Sequence, residues 1–205
     1  MDKIKIFFGA HKILKIFMWA FLILLGLFII LVIYRVFYSF NLDKTNAQVE
    51  KIHNTKLFID DVMGVNLPSD PGIEVDKTVQ GIDANQNGIR DDVELAIFKE
   101  YPNSAKTRAV LLQYALVLQI ETEQNINKDT ATAVAEKESQ SYDCIGKIVP
   151  ISNDDIQEIK EYRNYVESIQ LNTVERKNLK IKFDNNVGSF ELQSGCDVDL
   201  DLFPN

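Results

Sequence analysis

Nineteen consecutive residues, Ile16 to Tyr34, carry no charge, and no other feature constrains this chain so strongly. At ~1.5 Å of rise per residue, a helix of that length reaches ~28 Å, close to the hydrocarbon thickness of a bilayer. Lys3, Lys5, Lys12 and Lys15 precede the run and Arg35 closes it. A secretory signal peptide has a similar basic start, but its apolar region is shorter, ~7 to 15 residues, and ends in a small-x-small cleavage site. Here Tyr34, Phe37, Tyr38 and Phe40 follow instead, with Trp19 near the opposite boundary. Aromatic belts of this kind suit a helix that stays in the membrane. The expectation is an uncleaved transmembrane anchor over 16–38. The basic segment 1–15 then lies in the cytoplasm by the positive-inside rule, and the C-terminal part is exported. Gly26 has no partner at GxxxG spacing, so nothing marks the span as a dimer seam.

The chain has 22 Lys and Arg against 30 Asp and Glu; removing the five basic residues and Asp2 that precede Val36 leaves 17 against 29 in the exported part. A surface with that excess of negative charge repels nucleic acid and anionic lipid, and suits cationic partners or divalent ions. The length left after the anchor is that of one ordinary domain.

Breakers and apolar periodicity divide the exported part. Asn41 to Met63 reads as a stalk or first helix (39–63) with Val49, Ile52, Leu57, Ile59 and Val62 among charges. Gly64 to Ile82, with Pro68, Pro71 and three glycines, reads as loop. A helix is expected from about Asp92 to Pro102, and a central one capped by Ser104 and running to Asn125. A third follows from Asp129 to Ile148. A fourth starts at a capping box of Ser152 and Asp155, and a last one begins at Thr173. The fold class is mainly α: an irregular extracytoplasmic helical bundle over 64–205, with a short extended C-terminal tail or hairpin.

One motif carries chemistry. Asp83 to Glu94 reads DANQNGIRDDVE, with oxygen-bearing side chains at positions 1, 3, 5, 9 and 12 and glycine at 6. That is the spacing of an EF-hand-type loop, because Ca²⁺ takes six to eight oxygens and a tight loop turns alternate side chains inward. Asp83, Asn85 and Asn87 each offer one oxygen, Ile89 its backbone carbonyl, Asp91 a direct or water-mediated contact, and Glu94 a bidentate carboxylate. Gly88 permits the left-handed turn. Asp and Asn also build side-chain turns without any ion, and Asp91 or Asp92 is an ordinary N-cap, so a turn with a helix cap is the alternative. With three carboxylates among the ligands, the expected affinity is of the weak extracellular kind.

The loop resembles an EF-hand, with Arg90 at the position of the usual apolar residue and no entering helix. It is also similar to the calcium loops of thrombospondin type 3 repeats. More broadly, Pro68, Pro71 and Gly72, then GIDANQNGIRDDVE, Asn172, Thr173 and Arg176, and finally Cys196 with Asp197, resemble a group of uncharacterised exported bacterial proteins. The two loop resemblances imply ion binding and the broader one a bacterial envelope location; none implies a reaction.

Cys144 and Cys196 are the two cysteines, and an oxidising compartment favours a disulfide between them; two buried thiols are the alternative. His53 is the one histidine beyond the anchor, which leaves no His-based catalyst or zinc site. Asp60 with Asp61, or Glu74 with Asp76, are pairs a hydrolase could use, though every acidic protein has such pairs. The expectation is a non-enzymatic, calcium-binding envelope protein that binds another envelope protein. An envelope hydrolase and an immunity-type inhibitor of an exported toxin are the alternatives.

Overall fold

A computed structural model describes residues 2–122, 127–150 and 155–203, and side chains from Leu14 onward. The chain divides after Ala47 into two compact units. Helix α1, Asp2–Asn54, supplies all of the first unit and enters the second. Its stretch from Leu14 is long and apolar enough to cross a membrane, with a mean hydropathy of 3.1 in its most apolar window. Leu, Ile and Phe side chains from Leu14 to Phe40 are exposed on every side of the helix. A helix apolar all round is a membrane span or a buried core helix, and burial is what this one lacks.

The second unit is helical, and no strand occurs among the described residues. After α1 come α2 (Ile59–Met63), a 3₁₀ turn (Gly72–Asp76), α3 (Asp91–Glu100), α4 (Ala105–Ile120), α5 (Lys128–Gly146), α6 (Asp155–Gln170), α7 (Val174–Asp184) and a 3₁₀ turn at Leu200–Leu202. Ser104 caps α4, its Oγ accepting the Thr107 amide at 3.2 Å, and Thr173 caps α7 in the same way through the Arg176 amide at 3.2 Å. Side chains from Arg108 to Leu118 are buried around the whole circumference of α4, which packs on α2, α3, α5 and α6. This is the central helix expected, ending at Ile120; Asn125 and the Ser152 cap lie outside the described residues.

Asn41 to Met63 is two helices rather than one. The chain leaves α1 at Asn54 and re-enters helix at Ile59. Three long-range contacts hold the break. The Leu57 amide donates to Asp197 Oδ2 at 2.9 Å, Lys137 donates to the Thr55 carbonyl, and Lys137 faces the other Asp197 oxygen at 3.9 Å. Asp197 is placed by its own amide, which donates to Gln113 Oε1 at 2.8 Å, and by the disulfide joining the preceding Cys196 to Cys144. That disulfide closes a 52-residue separation. In the chain-entropy account, such a loop removes ~4 kcal/mol of unfolded-state freedom.

Between α4, α5, α6 and α7 runs a partly buried polar chain. Lys180 meets Glu121, Glu138 and Asp184, each at 3.1 Å. Tyr142 donates to Glu138, Arg163 donates to the Tyr142 hydroxyl at 2.8 Å, and Tyr114 donates to Glu167.

Candidate metal centre

The segment leading into the Asp83–Glu94 loop has little regular structure of its own, and two fully buried arginines fix it. Arg176 donates to the carbonyls of Val75, Thr78 and Val79 at 2.8, 3.1 and 2.9 Å, and pairs with Asp76. Arg90 donates to the carbonyls of Ile169 and Gln170 at 2.7 and 3.1 Å and pairs with Asp92. Those carbonyls end α6, so Arg90 satisfies helix-end acceptors and sits at the negative pole of the helix dipole. Both side chains converge on Gly81, where an added Cβ would lie 2.3 Å from Arg90 Cδ and 3.3 Å from Arg176 Nη2. At φ +73° the glycine also takes a backbone conformation that side chains resist.

Within the loop the side chains fold the backbone around themselves. Asp83 accepts the amides of Asn87 and Gly88 at 3.2 and 2.9 Å, and Asn87 Oδ1 accepts the Ile89 amide at 2.9 Å. The Asp91 amide donates to the Ile82 carbonyl at 2.9 Å and closes the loop, while Asp91 Oδ1 accepts the Ala84 amide at 3.0 Å. Glu94 reaches back from α3: Oε2 accepts Asn85 Nδ2 at 3.0 Å and Oε1 accepts Asn87 Nδ2 at 3.1 Å. Four of the six expected ligand residues, Asp83, Asn85, Asn87 and Glu94, are thus joined to one another through their side chains, and a fifth, Asp91, holds Ala84 between them. The sixth, Ile89, buries its side chain completely in the core and anchors the loop there. Gly88, at φ +85°, lies against Leu116 of α4, whose Cδ1 would be 2.7 Å from an added Cβ. Neither Asp91 nor Asp92 caps α3, the role the turn-only alternative assigns them; one ties down Ala84 and the other holds Arg90.

The electrostatics of the loop are strained. Glu94 is 1% exposed, and burial pushes its pKa up to about 7. The charges of Asp61 and Asp91 add to that push, and the Asn85 and Asn87 amides oppose it. Asp91 is raised too, first by burial and then by its neighbours Asp83 and Asp92, although its bond from Ala84 works the other way. Two contributors come from outside the motif. Asp61 on α2 adds charge, and the Asn66 carbonyl accepts Asn85 Nδ2 at 3.0 Å. Nothing in the spacing of the sequence announces either.

This donor set of three carboxylates and two amides, with no ammonium or guanidinium among them, has the chemistry a hard cation takes. Among the described residues, however, no three His, Cys, Asp or Glu side chains converge closely enough to hold a metal unaided. The amides of Asn85 and Asn87 turn their nitrogens to Glu94, so a cation would require both to present oxygen instead. Asp83, Asn85 and Asn87 line a groove of about 710 Å³ together with Asp61, Ile52 and Leu116, which gives an ion a way in.

The other candidate pairs have structural partners. Glu74 pairs with Lys77, Asp76 with Arg176, and Asp61 accepts the Phe58 amide at 3.0 Å, while Asp60 is exposed. His53 is exposed and meets Glu136 at 3.1 Å. Comparison with protein-family models, with curated proteins and with solved structures finds no match to this chain.

Proposed function

We propose that this chain is a single-pass protein of the bacterial inner membrane whose helical domain, with its disulfide and C-terminal tail, lies outside the cytoplasm. There its Asp83–Glu94 loop binds Ca²⁺ as a structural ion, and the domain contacts another envelope protein. The observation that carries the calcium reading is a buried, charge-stressed Glu94 gathered with Asp83, Asn85, Asn87 and Asp91 in one loop, with only neutral amides to meet it. The bound ion supplies the positive charge that none of the donor residues carries. Asp83, Asn85, Asn87, Asp91, Glu94 and the Ile89 carbonyl are its ligands, and Gly88 and Ile89 hold the turn against α4. Export agrees with the basic excess before Ile16 and with the disulfide, which persists in oxidising compartments.

The test is thermal unfolding of the full chain in detergent, with EDTA or with Ca²⁺. For a dissociation constant of ~0.1 to 1 mM, as in extracellular modules, ~2 mM Ca²⁺ adds ~0.7 to 1.8 kcal/mol to the folded state. Asp83→Ala abolishes the gain. Identical responses of wild type and Asp83→Ala would reduce the loop to a turn.

A further inference from the structure

On the α3–α6 side of the domain an open pocket of about 570 Å³ is lined by Tyr101, Gln157, Glu158, Glu161 and Tyr162. Its aromatic walls are rigid. Tyr101, Tyr162 and Tyr165 all pack against the main core, and Tyr165 donates to the Ala96 carbonyl at 3.0 Å. The Tyr101 ring stands 6.1 Å from Tyr162 at 53° and 5.8 Å from Tyr165 at 90°. The Tyr101 backbone is pinned as well, its amide donating to the Ile97 carbonyl and its own carbonyl accepting Arg108 at 2.9 Å. The Tyr101 and Tyr162 rings pack on each other and both line the pocket, and a cation within ~6 Å of the face of such a ring is attracted to it.

The charged residues that line the pocket have one sign. Glu158 and Glu161 line it, and Glu100 is next to Tyr101 in sequence. Burial raises the Tyr101 and Tyr162 hydroxyl pKa values, and the charges of Glu100 and Glu158 respectively add to the shift. Glu161 accepts Gln157 Nε2 at 3.1 Å. None of the five lining residues is basic, and none of the three carboxylates forms an ion pair among the described residues. Elsewhere in the domain the chain supplies its own cation to aromatic faces, with Arg108 over Phe98 at 4.8 Å and Arg163 over Tyr142 at 3.8 Å. The Tyr101–Tyr162 pocket has an aromatic wall and an acidic rim, as the Arg163–Tyr142 pair does with Glu138 and Glu167, and among the described residues no cation lines it.

We infer that this pocket receives an organic cation from outside, the guanidinium or ammonium side chain of a basic protein partner, held against the tyrosine pair and beside the Glu158 and Glu161 carboxylates. The site is independent of the calcium loop.

The experiment uses the full chain in detergent micelles, labelled with 3-fluorotyrosine. The ¹⁹F signals are assigned through Tyr101→Phe and Tyr162→Phe, and the probes are N-acetyl-argininamide, its neutral isostere N-acetyl-citrullinamide, and tetramethylammonium. N-acetyl-argininamide should shift the Tyr101 and Tyr162 signals saturably in the millimolar range, and N-acetyl-citrullinamide should not. Glu158→Gln with Glu161→Gln, at positions outside the core, should weaken binding about tenfold, and salt should weaken it in wild type. Unmoved signals at about 20 mM N-acetyl-argininamide in folded protein, or equal affinity in the double variant, would overturn the proposal. Binding of tetramethylammonium without binding of N-acetyl-argininamide would overturn the assignment to a protein partner.

Discussion

Glu94 and Glu121 are 1% and 2% exposed, and the chain meets them in opposite ways. Glu121 faces Lys180, an ammonium shared with Glu138 and Asp184. Burial works against the charge on Lys180, but the three carboxylates outweigh it and hold its pKa above the usual lysine value. Glu121 itself is raised, first by burial and then by Glu138, with Lys180 pulling the other way. Among the described residues Glu94 has no such partner: two asparagine amides reach it, and Asp61 and Asp91 press on it. A buried carboxylate needs a counter-charge or a proton. One site has its cation built into α7; the other takes a proton near neutrality or, in our reading, an ion from outside.

The contrast breaks most visibly at Lys180. Lys180→Met should cost about 3 kcal/mol in denaturant unfolding, because it strands Glu121 and Glu138 together, and adding Glu121→Gln should recover much of that loss. A Lys180→Met protein as stable as wild type would mean that the cluster is not self-neutralising.

A smaller effect separates the two sites by pH. The folded pKa of Glu94, about 7, lies above its ordinary value of 4.5, so the folded state binds the extra proton. Its contribution to stability is complete below pH 4.5 and is lost as pH rises towards 7, at about 1 kcal/mol per pH unit. In EDTA, the difference between wild type and Glu94→Gln should carry this slope. Saturating Ca²⁺ should flatten or reverse it, since the ion binds the ionised form, whereas the Glu121 part should not respond to Ca²⁺. A wild-type slope equal to that of Glu94→Gln would remove the strain from the argument.

Smallest of all is Glu94→Gln at pH 8. In EDTA it should be neutral or stabilising by up to about 1 kcal/mol, because it relieves a buried charge, and in Ca²⁺ it should lose most of the ion's gain. A change of sign with the ion, read from paired melting curves, is a signature that a purely structural hydrogen-bonding role for Glu94 does not produce.

What the sequence makes legible here is what is written locally. The apolar run after Lys15, the Ser104 and Thr173 caps, the breaks at the prolines and the alternation from Asp83 to Glu94 all act within a few residues of themselves. The helix break at Thr55–Phe58 is different. No glycine or proline lies there, and the stripe of Val49, Ile52, Leu57, Ile59 and Val62 runs through it. What stops the helix is the claim on the Leu57 amide by Asp197 and on the Thr55 carbonyl by Lys137, residues 140 and 82 positions away. The same holds for Arg90 and Arg176. Arginine reads as a surface residue, yet both are 0% exposed because they collect backbone acceptors from distant segments. Asp61 joins the candidate site by the same kind of long-range placement.

The Thr55–Phe58 break also has a mechanical meaning. Any tension carried along α1 enters the folded unit at Gln48 and passes the core contacts of Val49 and Ile52 before it reaches this strap and then α2. The strap is clasped by Lys137 on α5 and by Asp197, and Asp197 follows a cysteine that is covalently fixed to α5. A pull at the start of the domain is therefore resisted by residues from its far end, with a covalent bond behind them. Load is passed to α5 before α2 can be peeled away, as a seat belt passes it to the frame.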